Sequence, residues 1–108
     1  MTVVDYELNE LKREFLDEAR EKVVEMQSAL DRVAERESLE RLAYLAHQLK
    51  GSGGSYGYQR ISTDAAELEK VVESIDGNGA STTIQEEKIQ QYVLNLRTEI
   101  DRAAKELH

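Results

Sequence analysis

Apolar residues recur every three or four positions along nearly the whole chain, and no proline interrupts them. Proline would remove a backbone donor and break a helix, so its absence from 108 residues leaves long continuous helices open to the chain. Spacings of three and four mark a helix that buries one face. A first run keeps this spacing through Leu8, Leu11, Phe15, Ala19, Val23, Met26, Leu30 and Val33. A second uses Leu39, Leu42, Ala46 and Leu49 and extends to Gly53 and Tyr56. Ile61, Ala65, Leu68, Val72 and Ile75 make a third, and Ile89, Val93, Leu96, Ile100, Ala103 and Leu107 a fourth. No segment alternates with period two for long enough to form a strand.

The connections carry turn and cap chemistry. Glu35-Arg36-Glu37-Ser38 reads as a polar link with Ser38 as helix cap. Gly57 closes the second helix, as glycine commonly does just past a helix end. Asp76-Gly77-Asn78-Gly79 is a turn, Ser81-Thr82-Thr83 offers several N-caps, and Thr83 with Glu86 has capping-box spacing ahead of the last helix. Heptad-like stripes also suit coiled-coil dimers, but the turn at 76–79 favours a chain that folds back on itself. The expected fold is an all-α, antiparallel up-and-down four-helix bundle over residues 1–108 as a single domain, acting as a monomer. A short extra N-terminal helix is a variant of it, because no residue marks where the long first run would break.

Composition narrows the function. A net charge of −8 disfavours nucleic acid as partner, since binding a polyanion relies on Lys and Arg neutralising phosphates. Without cysteine there is no disulfide, thiolate nucleophile or thiolate metal site. No run of apolar residues is long enough for membrane insertion and none resembles a signal peptide. These features read as a soluble, cytoplasmic domain.

Against this background one segment stands out, His47-Gln48-Leu49-Lys50-Gly51-Ser52-Gly53-Gly54-Ser55-Tyr56-Gly57. Four glycines fall within seven positions, and each costs about 1 kcal/mol against alanine inside a helix. At roughly 100° per residue, Leu39, Leu45, Ala46, Leu49, Gly53 and Tyr56 lie within about 60° of Leu42. His47 lies about 140° from it, with Gly54 near 120°, Gly51 near 180° and Lys50 near 80°. The imidazole therefore projects from the polar side, bordered by two residues without side chains. Gly51 and Gly54 leave a clearing beside the ring, and Lys50, at i+3, brings an ammonium to whatever the imidazole carries.

A neutral imidazole nitrogen is a competent nucleophile near pH 7, because its unperturbed pKa is about 6.5. A phosphoryl group on one nitrogen would be an anion for Lys50 and the Ser52 hydroxyl to stabilise, and the other nitrogen needs an acceptor to orient the ring. Other readings of the same residues are a plain surface histidine and a flexible loop ending a helix. A Walker A loop requires Gly-Lys-Ser/Thr after a strand, and this segment lacks both. Metal binding has no second histidine beside His47 to draw on.

The segment resembles the signature of histidine-containing phosphotransfer (HPt) domains. His47, Leu49, Lys50, Gly51, Ser52, Gly53, Gly54, Tyr56 and Gly57 fit it in register. Leu11 to Leu30 is similar to the family's helix before the histidine, and Ala65-Ala66-Glu67-Leu68-Glu69 to the helix after it. The resemblance implies a phosphorelay intermediate in which His47 accepts a phosphoryl group from an aspartyl phosphate on a receiver domain, or from a histidine kinase, and passes it to a receiver aspartate. It implies a carrier without autokinase activity, cofactor or metal, the Mg²⁺ and catalytic carboxylates being the receiver's. Lys50 would stabilise the phosphoryl group, Gly51 and Gly54 would keep the docking face open, and Glu69, matching a family Glu/Gln position, would orient the imidazole.

Glu69 and Tyr56-Gly57-Tyr58 also suit the phosphoacceptor domain of chemotaxis-type histidine kinases, where the kinase's own ATP-binding domain is the donor. A helical adaptor without chemistry is the reading from a different class. An enzyme with His47 as general base is a third, but an outward-facing histidine on a convex bundle lacks the concave pocket that role needs.

Overall fold

The computed structural model describes residues 2–32, 35–75 and 81–107. These form α1 (Val3–Leu30), α2 (Arg36–Ser55), α3 (Gln59–Glu73) and α4 (Thr83–Glu106), with no strand among the described residues. α1 packs on α2 and α4, and α3 packs on the same two. Side-chain pairs give the directions. Arg41 near the start of α2 meets Glu25 near the end of α1, while Phe15 in α1 stacks on Tyr56 just past α2. Arg60 and Ser74, at opposite ends of α3, reach Glu99 and Gln85 at opposite ends of α4. Neighbours run antiparallel, which is the expected up-and-down four-helix bundle. No described helix is long and apolar enough to cross a membrane.

One apolar core runs through the bundle, and no polar side chain is buried in it among the described residues. The second, third and fourth stripes enter this core as their spacing requires, with Leu107 and Tyr56 half-buried at its edge. The first stripe departs from expectation. Leu8 and Leu11 are 44% and 48% exposed, and burial begins only at Phe15 and at Leu16, which the stripe omitted. Phe15 stacks on Tyr56 and Tyr58, with ring centroids 5.0 and 5.8 Å away, at the turn from α2 to α3. The three turns of α1 before Phe15 run past that turn. Periodicity shows which face of a helix is apolar, but whether a neighbour lies opposite is a matter of relative helix length.

Three boundary readings are corrected as well. α1 is unbroken from Val3 to Leu30, so no short extra helix precedes it among the described residues. Thr2 and Asp5 form its capping box, and no glycine or proline occurs between the ends of α1 to divide it. α2 begins at Arg36 with Glu35 as its N-cap residue, and the Leu39 amide already bonds to the Glu35 carbonyl. Ser38 is therefore inside the first turn. The α4 capping box is Thr82 with Gln85, one residue earlier than expected. Glu86 is engaged instead by the Ser81 hydroxyl at 2.7 Å, and Gln85 donates to Ser74 at the end of α3. Val33, the turn at 76–79 and His108 lie outside the described residues.

Gly57 does close α2. Its φ of +83° is a left-handed conformation that favours glycine, and it allows Gly57 N–H to reach the Gly54 carbonyl and Tyr58 N–H the Gly53 carbonyl. That pair of bonds is a Schellman cap. It turns the chain directly into α3 and brings Tyr58 back onto Phe15.

The two kinds of leucine in this fold should respond differently to truncation. Leu49→Ala should lower unfolding free energy by about 2–5 kcal/mol, whereas Leu11→Ala should stay within about 0.5 kcal/mol of wild type. Urea titration followed by circular dichroism measures both.

Candidate functional site

The site is built on the facing surfaces of α2 and α3. The His47 side chain is 69% exposed, and its Nδ1 lies 2.9 Å from Oε2 of Glu69 on α3. As a carboxylate Glu69 can only accept, so Nδ1 is the donor in this bond, and in the neutral ring Nε2 is the nitrogen with the free lone pair. Lys50, one turn beyond His47, places Nζ 3.7 Å from the other oxygen of the same carboxylate. Glu69 is itself only 14% exposed. One half-buried carboxylate therefore holds both an exposed imidazole and an exposed ammonium.

The glycines separate by what a side chain would meet. At Gly51 a Cβ meets nothing within 4 Å, so the space beside His47 is open. At Gly54 it would lie 3.5 Å from the Ser62 hydroxyl, in ordinary contact at the border of α3. Gly53 faces inward, where a Cβ would come within 3.2 Å of both Ile61 Cγ2 and the Ser62 amide. Gly51 thus borders open space and Gly54 the edge of α3, while Gly53 serves helix packing. Ser52 departs from expectation. It is half-buried and lies about 140° around the helix from His47. Among the described residues, its hydroxyl makes no hydrogen bond to His47, Lys50 or Glu69. The five-residue step from His47 carries it off the face, so Ser52 is not brought to the imidazole.

Two neighbours of the site were not anticipated. Tyr44, one turn before His47, accepts a 2.7 Å hydrogen bond from Gln48 Nε2 and lies under the Arg41 guanidinium, 5.2 Å from ring centroid to Cζ. Arg41 bonds to both oxygens of Glu25 on α1. Tyr44 was legible from its i−3 spacing to His47, but Glu25 lies on another helix and only packing unites it with Arg41. The second neighbour is Ser62, whose Oγ donates to the Lys50 carbonyl at 2.8 Å. Among the described residues, no group of three or more His, Cys, Asp or Glu side chains is arranged to hold a metal ion.

The chain matches the family model of the Hpt domain over residues 10–106. It belongs to that family. The match spans all of α2 and α3, hence His47, Lys50, Glu69 and the glycines between. Hpt domains serve phosphotransfer in two-component signalling, where they interact with receiver and kinase domains. No curated protein and no solved structure matches the chain.

The Arg41–Glu25 bond also makes a statement about pH. Hydrogen bonding by Arg41 holds the Glu25 carboxyl below its ordinary value of 4.5, against the opposing effect of burial. A carboxyl lowered in the folded state contributes stability above its unfolded pKa and loses it as pH falls through the lower folded value. Both partners are largely exposed, so the contribution is small. Glu25→Gln should therefore show a slightly flatter loss of stability than wild type between about pH 5 and 3. Urea midpoints collected across that range test the difference.

Proposed function

We propose that this Hpt domain is a phosphoryl carrier whose acceptor atom is Nε2 of His47. The observation that carries the reading is the 2.9 Å approach of Nδ1 to Glu69, which in the neutral ring leaves the opposite nitrogen unprotonated on an exposed side chain. In the forward step the Nε2 lone pair attacks phosphorus of an aspartyl phosphate on a receiver domain. The N–P bond forms as the P–O bond to the aspartate breaks, and the bonding electrons leave with the aspartate carboxylate. The ring retains its Nδ1 proton and becomes cationic, so a carboxylate at hydrogen-bond distance stabilises the product more than the reactant. Attack by a second receiver's aspartate on the same phosphorus reverses these changes.

Lys50 has a role in both states. Before transfer its ammonium is held by Glu69, and once the phosphoryl group is on Nε2, a dianion within reach of the same flexible side chain offers a stronger partner. Gly51 and Gly54 keep the flank of the imidazole low enough for a receiver to approach along α2. Ser52 has no part in this scheme. The chain supplies no kinase step of its own and needs no cofactor: its contribution is to hold one nitrogen in the correct tautomer at an unobstructed surface.

Exposure to a phosphorylated receiver should produce acid-labile, alkali-stable label on the chain. In His47→Gln the label should vanish while helicity is unchanged. Label persisting in that variant would show that the acceptor lies elsewhere. Running an ATP-fed histidine kinase beside the receiver distinguishes the two possible donors, and binding without label from either would favour an adaptor.

Gly51 provides a separate test. Gly51→Ala should raise stability by up to about 1 kcal/mol, since glycine is the poorer helix former and the space is open. Gly51→Leu should keep the fold but slow phosphotransfer by about tenfold or more, because a branched side chain would stand where the partner approaches. Melting curves and transfer rates on the same preparations separate the two effects.

A further inference from the structure

His47 and Glu69 stand on different helices, so their bond requires α2 and α3 to be in register to within a few tenths of an ångström. Apolar packing alone tolerates small slides, because the hydrophobic effect has no direction. We infer that Ser62 is a positioning residue for the phosphoacceptor, its hydroxyl bond to the Lys50 carbonyl setting the register that lets Glu69 hold His47.

Several observations converge on this role. Ser62 and Glu69 are seven residues apart on α3, two turns along the same face. Lys50 and His47 are one turn apart on α2. The bonds Ser62–Lys50 and Glu69–His47 thus tie the same two faces of an antiparallel helix pair at two separate points, and two ties restrict both slide and rotation. The Ser62 bond is also attached to the backbone of Lys50, the residue whose ammonium reaches the same carboxylate.

Satisfaction of polar groups does not demand this bond. The Lys50 carbonyl sits inside a helix and has the Gly54 amide as its intrahelical partner. A serine hydroxyl in a helix ordinarily has its own turn's carbonyl available, yet Ser62 reaches across to α2. Gly53 favours this, since its missing side chain lets the Ser62 backbone come to 3.2 Å from where a Cβ would stand, closer than most Cβ contacts. Among the described residues, the other polar side-chain bonds between α2 and α3 are those Glu69 makes to His47 and Lys50. Ser62 therefore holds the helices together through groups that neither titrate nor react.

The role rests on the phosphotransfer reading for its purpose but is measurable without a partner. In ¹⁵N-labelled protein at mildly alkaline pH, wild-type His47 should be mostly protonated on Nδ1. Ser62→Ala should shift the ring toward a mixture of tautomers and slow phosphotransfer about three- to tenfold. Thr98→Ala, which removes a hydroxyl–carbonyl bond within α4, should leave the tautomer and the rate alone. The pair Ser62→Thr and Ser62→Val, close in shape but differing in the hydroxyl, covers the case in which alanine unfolds the domain: Thr should behave as wild type and Val as Ala. Unchanged tautomer and rate in Ser62→Ala and Ser62→Val would overturn the inference, as would an equal change in Thr98→Ala. If the tautomer shifts as stated but wild-type His47 accepts no phosphoryl group from any donor, Ser62 still positions the ring and the phosphotransfer reading is what fails.

Discussion

The close approach of α2 and α3 at Gly53 is the constraint on which the site depends. An alanine there would press on Ile61 and on the Ser62 backbone, which would have to give by a few tenths of an ångström. Every polar bond across that interface has a short range. The bonds that cross the same interface, Glu69 to His47 at 2.9 Å and Ser62 to the Lys50 carbonyl at 2.8 Å, are sensitive to any such shift. The Schellman cap at Gly57 belongs to the same arrangement, since it reverses the chain within a few residues of Gly53 and delivers α3 onto α2.

This gives the glycine-rich segment a division of labour along one helix. Gly57 turns the chain, Gly53 admits the neighbouring backbone, and Gly51 and Gly54 leave the imidazole unobstructed. Gly51, Gly53 and Gly54 each weaken the helix, whereas Gly57 lies past its end where glycine is favoured, and α2 survives because its leucine stripe is buried on the opposite face. Helical stability here comes from tertiary packing more than from propensity. The bundle thereby tolerates a surface in which an exposed histidine stands beside open space.

Electrostatics at the site are local. The molecule carries a net charge of −8, but Lys50 stands one turn from His47 and is tied to a carboxylate on α3, while Arg41, on another side of α2, is tied to one on α1. Those pairings hold the cations where they are without neutralising their reach toward an incoming anion, since exposed ion pairs are weak and exchange readily. Tyr44, held between Arg41 and Gln48, adds an ordered aromatic surface one turn from the acceptor.

Four amphipathic stripes, the outward direction of His47, the inward direction of Gly53 and the Gly57 cap were all legible in the chain, because helical periodicity and left-handed turns are local properties. Leu8 and Leu11 were misplaced for a matching reason: their spacing is that of core residues, but α1 outruns its neighbours. The capping box of α4 lies one residue earlier, on Thr82 and Gln85, and the same Gln85 amide also donates to Ser74 at the end of α3. Ser52 left the site because a five-residue step on a real helix points elsewhere. Glu69 was reachable only through resemblance, and Ser62 and the Glu25–Arg41 pair not at all. Each of these last depends on which residues two different helices bring opposite one another. That register is set by side-chain packing and a few directional bonds, and no spacing within a single helix encodes it.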